Sequence, residues 1–333
     1  MKKWLVIISI LILVLLSACN GTDDENSGTN DKGNTSGKQE RTFIIEDSMG
    51  KQTIEGTPKK IVVLEWFFAE HLLALGMQPA GVPNIDGYND WINIERDLSD
   101  RVKDVGTRQE PNLEAISRLD PDLIIAAKFR HEKILGQLKK IAPTVTFAPY
   151  SEKGSQNLYK EMLREFKMVA KIVDKKEKAK KEIAKLNQFY DKQKQIVEES
   201  GLKGTEYISA LAFTTQNAPV LRLYAENSIV SQVMKRLGFE NMYESEKTEP
   251  YGFTQTGVEA LQKFQEENPH FLYIVQKDDN IFENQLKGNP VWEQLSFVKS
   301  GKIHQIPGDT PVFGGVLSAK VLAEELVNSM INK

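Results

Sequence analysis

Two arginines stand beside apolar stretches where chemistry could be done: Arg108 in "VGTRQEPNLEAI" and Arg130 in "DLIIAAKFRHEK". A guanidinium presents a planar fork of donors that matches a carboxylate, so two of them on one wall make an anion-binding surface. Glu65, Trp66 and Phe67 in "LEWFFAE", with Tyr88 and Trp91 in "IDGYNDW", supply a carboxyl and large rings nearby, and His131 follows Arg130 at the expected start of a helix. In the second half Arg222 and Tyr224 alternate with Leu221 and Leu223, as residues of a strand do. Tyr251 and Phe253 in "EPYGFTQ", and Phe313 in the glycine-rich "GDTPVFGGVLSAK", complete the candidates. A few converging charges among aromatic side chains describe a small-molecule site.

The elements that must carry these residues alternate. From Phe43 a hairpin pattern ("TFIIED", "KQTIEG") is followed by "KKIVVLE", "FFAEHLLALG", "PAGV", "NLEAISRL", "DLIIAA", "HEKILGQLKKIA" and "TVTFAP". Strands alternating with helices imply a parallel sheet wrapped by helices, and runs such as "KIVVL" and "DLIIAA", apolar on successive residues, fit a sheet covered on both faces. Ligands collect outside the carboxyl ends of such strands, which is where Arg130 falls, just past "DLIIAA". Lys175 to Ser200, free of Gly and Pro, reads as one long helix with Ile183, Leu186, Phe189 and Ile196 on its apolar side. After it the alternation resumes through "YISALAF", "SIVSQVMKRLGF", "VEALQKFQEENP", "FLYIVQ", "GKIHQIP" and a closing helix "SAKVLAEELVNSMIN". "LEAISRLDPDLIIAAK" (113–128) and "VEALQKFQEENPHFLYIVQK" (258–277) echo each other, which points to two similar lobes. The expected organisation is a first α/β lobe over 42–174, a connecting helix over 175–200 and a second α/β lobe over 201–333.

Motifs for catalysis are missing. The chain has no G-x-G-x-x-G, no G-x-x-x-x-G-K-[ST] and no G-x-S-x-G, and its four histidines stand apart rather than at metal-ligand spacing. An enzyme would have to use Glu65 and His131 as acid and base on an anionic substrate. A receptor for haem, cobalamin or a bare Zn or Mn ion is a further alternative, and a bare metal would need clustered His and carboxylates. With the two lysines of the leader removed, the formal charge falls from −3 to −5, which argues against a nucleic-acid surface or a basic membrane patch.

At the N-terminus Lys2 and Lys3 precede a thirteen-residue apolar run, Trp4 to Leu16, too short for a spanning helix and read as a secretory signal over 1–18. Its end, Leu16-Ser17-Ala18-Cys19, resembles the lipobox of bacterial lipoproteins, in which the cysteine is acylated; Cys19 is the only cysteine. Residues 19–41 lack large apolar side chains and read as a disordered tether about 25 Å long on average.

Taken with "KKIVVLEWFFAEHLLALGMQPAGV", "VGTRQEPNLEAISRLDPDLIIAAKFRHEKILGQLKKIAPTV", the long helix and the C-terminal "GG…AEELV", the mature chain resembles the substrate-binding lipoproteins of iron-siderophore ABC importers, nearest to their ferric-citrate and carboxylate-siderophore branch. The resemblance implies an α/β fold of two Rossmann-like lobes with central sheets joined by a single α-helix. It implies capture of a ferric siderophore between them and delivery to a membrane permease driven by an ATPase. The iron would be held by the chelator, with no metal ligand or cofactor of the protein's own. It implies a monomer, not an enzyme, lipid-anchored on the extracytoplasmic face of the cell membrane of a Gram-positive bacterium. The arginines of its "GTR" and "RH" motifs map onto Arg108 and Arg130. Its permease-docking acids map onto Glu114 in "PNLEAI" and Glu259 in "TGVEAL", although Asn112 and Thr256-x-x-Glu259 also read as helix caps. That branch often carries arginines before the last helix, and "GDTPVFGGVLSAK" has none, which leaves hydroxamate and mixed citrate-hydroxamate siderophores as competitors.

Overall fold

A computed structural model describes residues 42–331; the signal, the tether and Cys19 lie outside the described residues. Strands β1 (Thr42–Asp47) and β2 (Gly50–Glu55) form the expected antiparallel hairpin. Five parallel strands follow: β3 (Ile61–Val63), β4 (Gly81–Val82), β5 (Lys103–Asp104), β6 (Leu123–Ala127) and β7 (Thr144–Phe147), in the order β5-β4-β3-β6-β7. β3 and β6 are buried throughout, and their successive residues feed two different cores: Ile61, Val63, Leu123 and Ile125 on one face, Val62, Leu64, Ile124 and Ala126 on the other. That two-sided burial is why these strands read as unbroken apolar runs. The chain leaves β3 in one direction and returns to lay β6 on its other side, so the topological switch point lies between β3 and β6.

The connecting helix spans Lys176–Glu199 and buries Ala179, Leu186, Tyr190 and Val197. Ile196, expected on the apolar side, is exposed, and the neighbouring Val197 takes the inward position. Buried Glu182 is balanced by Lys178 at 2.7 Å, Lys185 at 3.2 Å and Arg96 at 3.4 Å.

The second sheet contains β8 (Glu206–Thr215), β9 (Ala218–Tyr224), β10 (Glu240–Asn241), β11 (Phe253–Thr256), β12 (His270–Val275) and β13 (Ile303–Ile306). It is mixed, not parallel as the sequence pattern suggests: β8, β12 and β13 run parallel, while β9 and β11 join antiparallel. The cause is a two-residue turn, Gln216-Asn217, with φ of 51° and 61°. Two successive left-handed residues form the tight hairpin turn usually signalled by Asn-Gly. Val258–Phe264 is a 3₁₀ helix rather than the expected α-helix. The capping box at Thr256 is not formed, because Thr256 is still paired in β11 opposite Leu221.

The last helix, Val316–Ile331, begins against the first lobe. Glu70, on the helix Trp66–Ala74, is 1 % exposed and accepts from Leu317 N and Ser318 N at 2.9 Å each, and from Ser318 Oγ. A carboxylate here satisfies orphan N–H groups and meets the positive end of the helix dipole. Burial nevertheless raises the Glu70 carboxyl pKa above its ordinary value, the hydrogen bonds from Ser318 and Leu317 and from the Gly315 backbone pulling the other way. Gly314 and Gly315 permit the approach: a Cβ on Gly315 would stand 2.8 Å from both Glu70 Oε1 and His71 Nδ1. Turn chemistry alone does not account for these two glycines.

Candidate functional site

A cavity of about 650 Å³ lies between the lobes, at the carboxyl ends of the first sheet. Glu65 lies two residues past the end of β3, and Arg130 lies in the short helix Lys128–His131 after β6, so the two flank the switch point. Arg108 enters on the loop after β5, pinched by the Gly106–Pro111 bridge.

Glu65 organises this wall. Its side chain is almost wholly buried; Arg130 Nε donates to Oε1, and Arg108 Nη1 stands 3.8 Å from Oε2. Burial pushes the Glu65 carboxyl upward, and the two guanidinium groups pull it back. Both oxygens face a donor, so it serves as the arginines' counter-ion. Arg108 is stacked over the Trp66 ring with Cζ 3.7 Å from its centre, and Trp66 is fixed in turn by Nε1 donating to Pro83 O at 2.9 Å. Desolvation lowers the Arg108 guanidinium pKa, opposed by Glu65.

His131 does not reach the cavity. It is fully buried; Nδ1 accepts from Ala127 N at 3.1 Å, which leaves Nε2 protonated and donating to Arg108 O at 2.9 Å. Burial lowers its pKa, and its role is to tie the Arg108 loop to the end of β6. With both nitrogens spent, the acid–base pairing of Glu65 with His131 is removed on geometric grounds. Tyr88 is likewise buried, edge-on to Trp66 with centroids 6.1 Å apart, while Trp91 is exposed on the cavity wall.

From the second lobe Arg222 faces the cavity, held between Phe213 and Phe253 with Cζ 4.7 and 4.8 Å from the two ring centres. Tyr224, expected beside it, is 1 % exposed under Phe313. It shares the face of β9 with Arg222, but one step further along the strand is already core. Tyr251, Phe253 and Phe313 line the cavity as expected. Phe129 and Tyr150, not singled out from the sequence, join them: centroid separations of 4.8 Å (Phe129–Tyr150), 4.6 Å (Tyr150–Tyr251), 6.1 Å (Tyr251–Phe253) and 6.0 Å (Phe253–Phe313) trace an aromatic ribbon across the lobes. Tyr150 sits just past β7, so the strand-end rule that located Arg130 also points to it.

Glu114 and Glu259 lie outside the cavity, both exposed. Asn112 caps the helix Leu113–Arg118 by accepting from Ala115 N, and Glu114 pairs with Arg118 at 2.6 Å. Among the described residues no group of three or more His, Cys, Asp or Glu could hold a metal ion, and no helix is long and apolar enough to cross a membrane.

Two lobes facing each other across an aromatic, arginine-rich cleft, bridged by a single helix, describe a small-molecule binding protein. Residues 61–310 match the periplasmic binding protein family, and the chain belongs to it; its members are non-enzymatic transport components. The chain is 31% identical to the Fe(3+)-citrate-binding protein YfmC of Bacillus subtilis, covering 100% of this chain and 98% of that one. It is 29% identical to the probable siderophore-binding lipoprotein YfiY of the same organism, over 98% of each. Among solved structures, the Fe3+-Desferal-bound siderophore-binding protein FhuD of Vibrio cholerae superposes with a TM-score of 0.73 at 26% identity, covering 82% of this chain and 98% of that one.

Proposed function

We propose that this protein captures a ferric siderophore in the cleft between its lobes and delivers it to an ABC permease and its ATPase, as a monomer anchored through acylated Cys19 to the outer face of the cell membrane. The observation that carries the reading is the convergence of Arg108 and Arg130 from one lobe and Arg222 from the other on one aromatic-walled cavity. Guanidinium forks suit chelator carboxylates, so the leading ligand is ferric citrate or a carboxylate siderophore, in keeping with the likeness to YfmC. A second reading, a hydroxamate or citrate-hydroxamate siderophore, is favoured by the aromatic ribbon and by Arg222 being the only cation of the second lobe on the described cavity wall. Glu114 and Glu259 are offered as permease contacts, exposed and acidic, and the anchor rests on the lipobox-like residues 16–19 and the likeness to a lipoprotein.

Trp66 and Trp91 on the cavity wall make fluorescence the natural test. Titrating the soluble domain with ferric dicitrate, a ferric citrate dihydroxamate and the ferric complex of Desferal should quench its emission saturably for at least one of them. Absence of quenching by all three would sink the reading.

A further inference from the structure

We infer that Glu65 is the specificity-determining residue of the cleft: it sets the net charge of the ferric chelates the protein accepts. The inference rests on the reading of the cavity as a ferric-chelate site. Of the described residues lining the cavity, three are arginines and one, Glu65, is acidic, so its formal charge is +2 rather than +3. Glu65 is not spent elsewhere. It occupies the cap position of the helix Trp66–Ala74 with extended backbone, φ −137° and ψ 147°, yet its side chain makes no capping hydrogen bond. The carboxylate turns instead toward Arg130 Nε and Arg108 Nη1.

Binding Arg130 through Nε has a directional effect. Nε is the flank of the guanidinium, so both Nη groups remain for a ligand: among the described residues neither makes a hydrogen bond, and the guanidinium lies over the Phe129 ring with Cζ 4.9 Å from its centre. Glu65 thus aims the fork while cancelling part of its charge. A buried unit charge acts over the width of such a cavity, because the surroundings screen it far less than water does.

The chemistry of ferric chelates makes this charge a selector. Three hydroxamates balance the ferric ion, a citrate with two hydroxamates leaves one net negative charge, and two fully deprotonated citrates leave several. Every added negative charge gains from the arginines and loses to Glu65. With Glu65 in place the cleft remains net positive but gains less from each added negative charge, so its carboxylate limits the preference for polyanionic chelates over those of low charge.

Titrating wild type, Glu65→Gln and Glu65→Asp with the same three complexes tests the inference. Glu65→Gln keeps the shape and an acceptor for Arg130, and should tighten ferric dicitrate by about tenfold to thirtyfold while weakening the ferric Desferal complex, with its free ammonium, severalfold. Glu65→Asp keeps the charge and should preserve the wild-type order of affinities even if all of them weaken. A purely structural role would lower the affinity of every chelate by a similar factor in Glu65→Gln, and that outcome overturns the inference while leaving the ferric-siderophore reading intact. Binding of none of the three by wild type would remove both.

Discussion

At the scale of single residues, the two arginines of the first wall are not equivalent. Arg130 donates directly to Glu65, whereas Arg108 stands 3.8 Å away and takes part of its support from the Trp66 ring. Removing one partner of a buried ion pair leaves the other charge uncompensated, which costs far more than the pair contributes. Arg130→Ala is therefore expected to lower unfolding stability by about 2–4 kcal/mol and Arg108→Ala by about 1 kcal/mol. Each should weaken an anionic ferric chelate by about 1.5–3 kcal/mol. The double variant Arg130→Ala/Glu65→Ala should regain most of the stability lost by Arg130→Ala, since the stranded carboxylate is gone. Denaturant melts with chelate titrations check all three; equal stability losses for the two arginines would contradict the asymmetry. Arg130 was legible in the sequence because the strand-end rule depends only on where a strand stops; Arg108 was marked by its loop before an apolar helix and by the family resemblance, since the strand before it, Lys103–Asp104, is exposed and carries no apolar run. His131 and Tyr224 were misplaced because chain position and strand parity give direction but not depth: both side chains point into buried space a step away from the rim. Glu65 could be placed at the rim, but its pairing with two arginines distant in sequence could not be read.

At the scale of elements, the first sheet was legible where its strands are buried, in β3, β4, β6 and β7, whereas the edge strand β5, exposed at both residues, has no apolar run to mark it. The second sheet was not, since a Gln-Asn turn gives no strong sign of the hairpin that reverses β9. Nor does any local pattern show that the helix Val316–Ile331 takes its N-terminal cap from Glu70, some 250 residues earlier. That joint depends on backbone proximity. His71, alongside it, is buried with neither ring nitrogen hydrogen-bonded, and burial lowers its pKa to about 3, so it packs as a neutral ring against Phe166 and the Gly315 backbone. A methyl group at Gly315 must displace either the cap or this ring. Gly315→Ala should cost about 1–3 kcal/mol, as overpacking of a tight core does. Gly136, exposed in the helix Leu135–Ile141 with nothing within 4 Å of an added Cβ, provides the contrast: Gly136→Ala should stabilise by up to about 1 kcal/mol. Chemical denaturation of the two variants checks both signs, and a neutral Gly315→Ala would show that the joint has slack.

At the scale of the whole molecule, the question is how far the lobes move when the cleft fills. One apolar cluster extends from Ile45 and Val63 in the first lobe, through Leu186 and Tyr190 of the connecting helix, to Leu272 and Ile306 in the second, so the lobes share a core. They are also fastened on both sides of the cleft. On one side Asn93 N donates to Asp309 O at 3.1 Å and Lys320 pairs with Glu95 at 2.7 Å; on the other Leu158 N donates to Asn227 O at 3.0 Å and Asn157 Nδ2 to Gln232 Oε1 at 2.9 Å. A hinge needs a few residues free to absorb a large change in φ and ψ, and here a continuous helix of 24 residues takes the place of such a joint. Domain closure of the kind seen when two lobes hang on flexible strands would tear the shared core and all four contacts. The expected response to ligand is instead a local one, with Trp91, Phe129 and Tyr251, the exposed rings of the cavity wall, settling onto the chelate. Small-angle scattering of the soluble domain with and without a saturating ferric chelate should give radii of gyration that agree within error, while Trp fluorescence reports binding in the same samples. A contraction of several ångströms on saturation would mean that the shared core does not hold the lobes together.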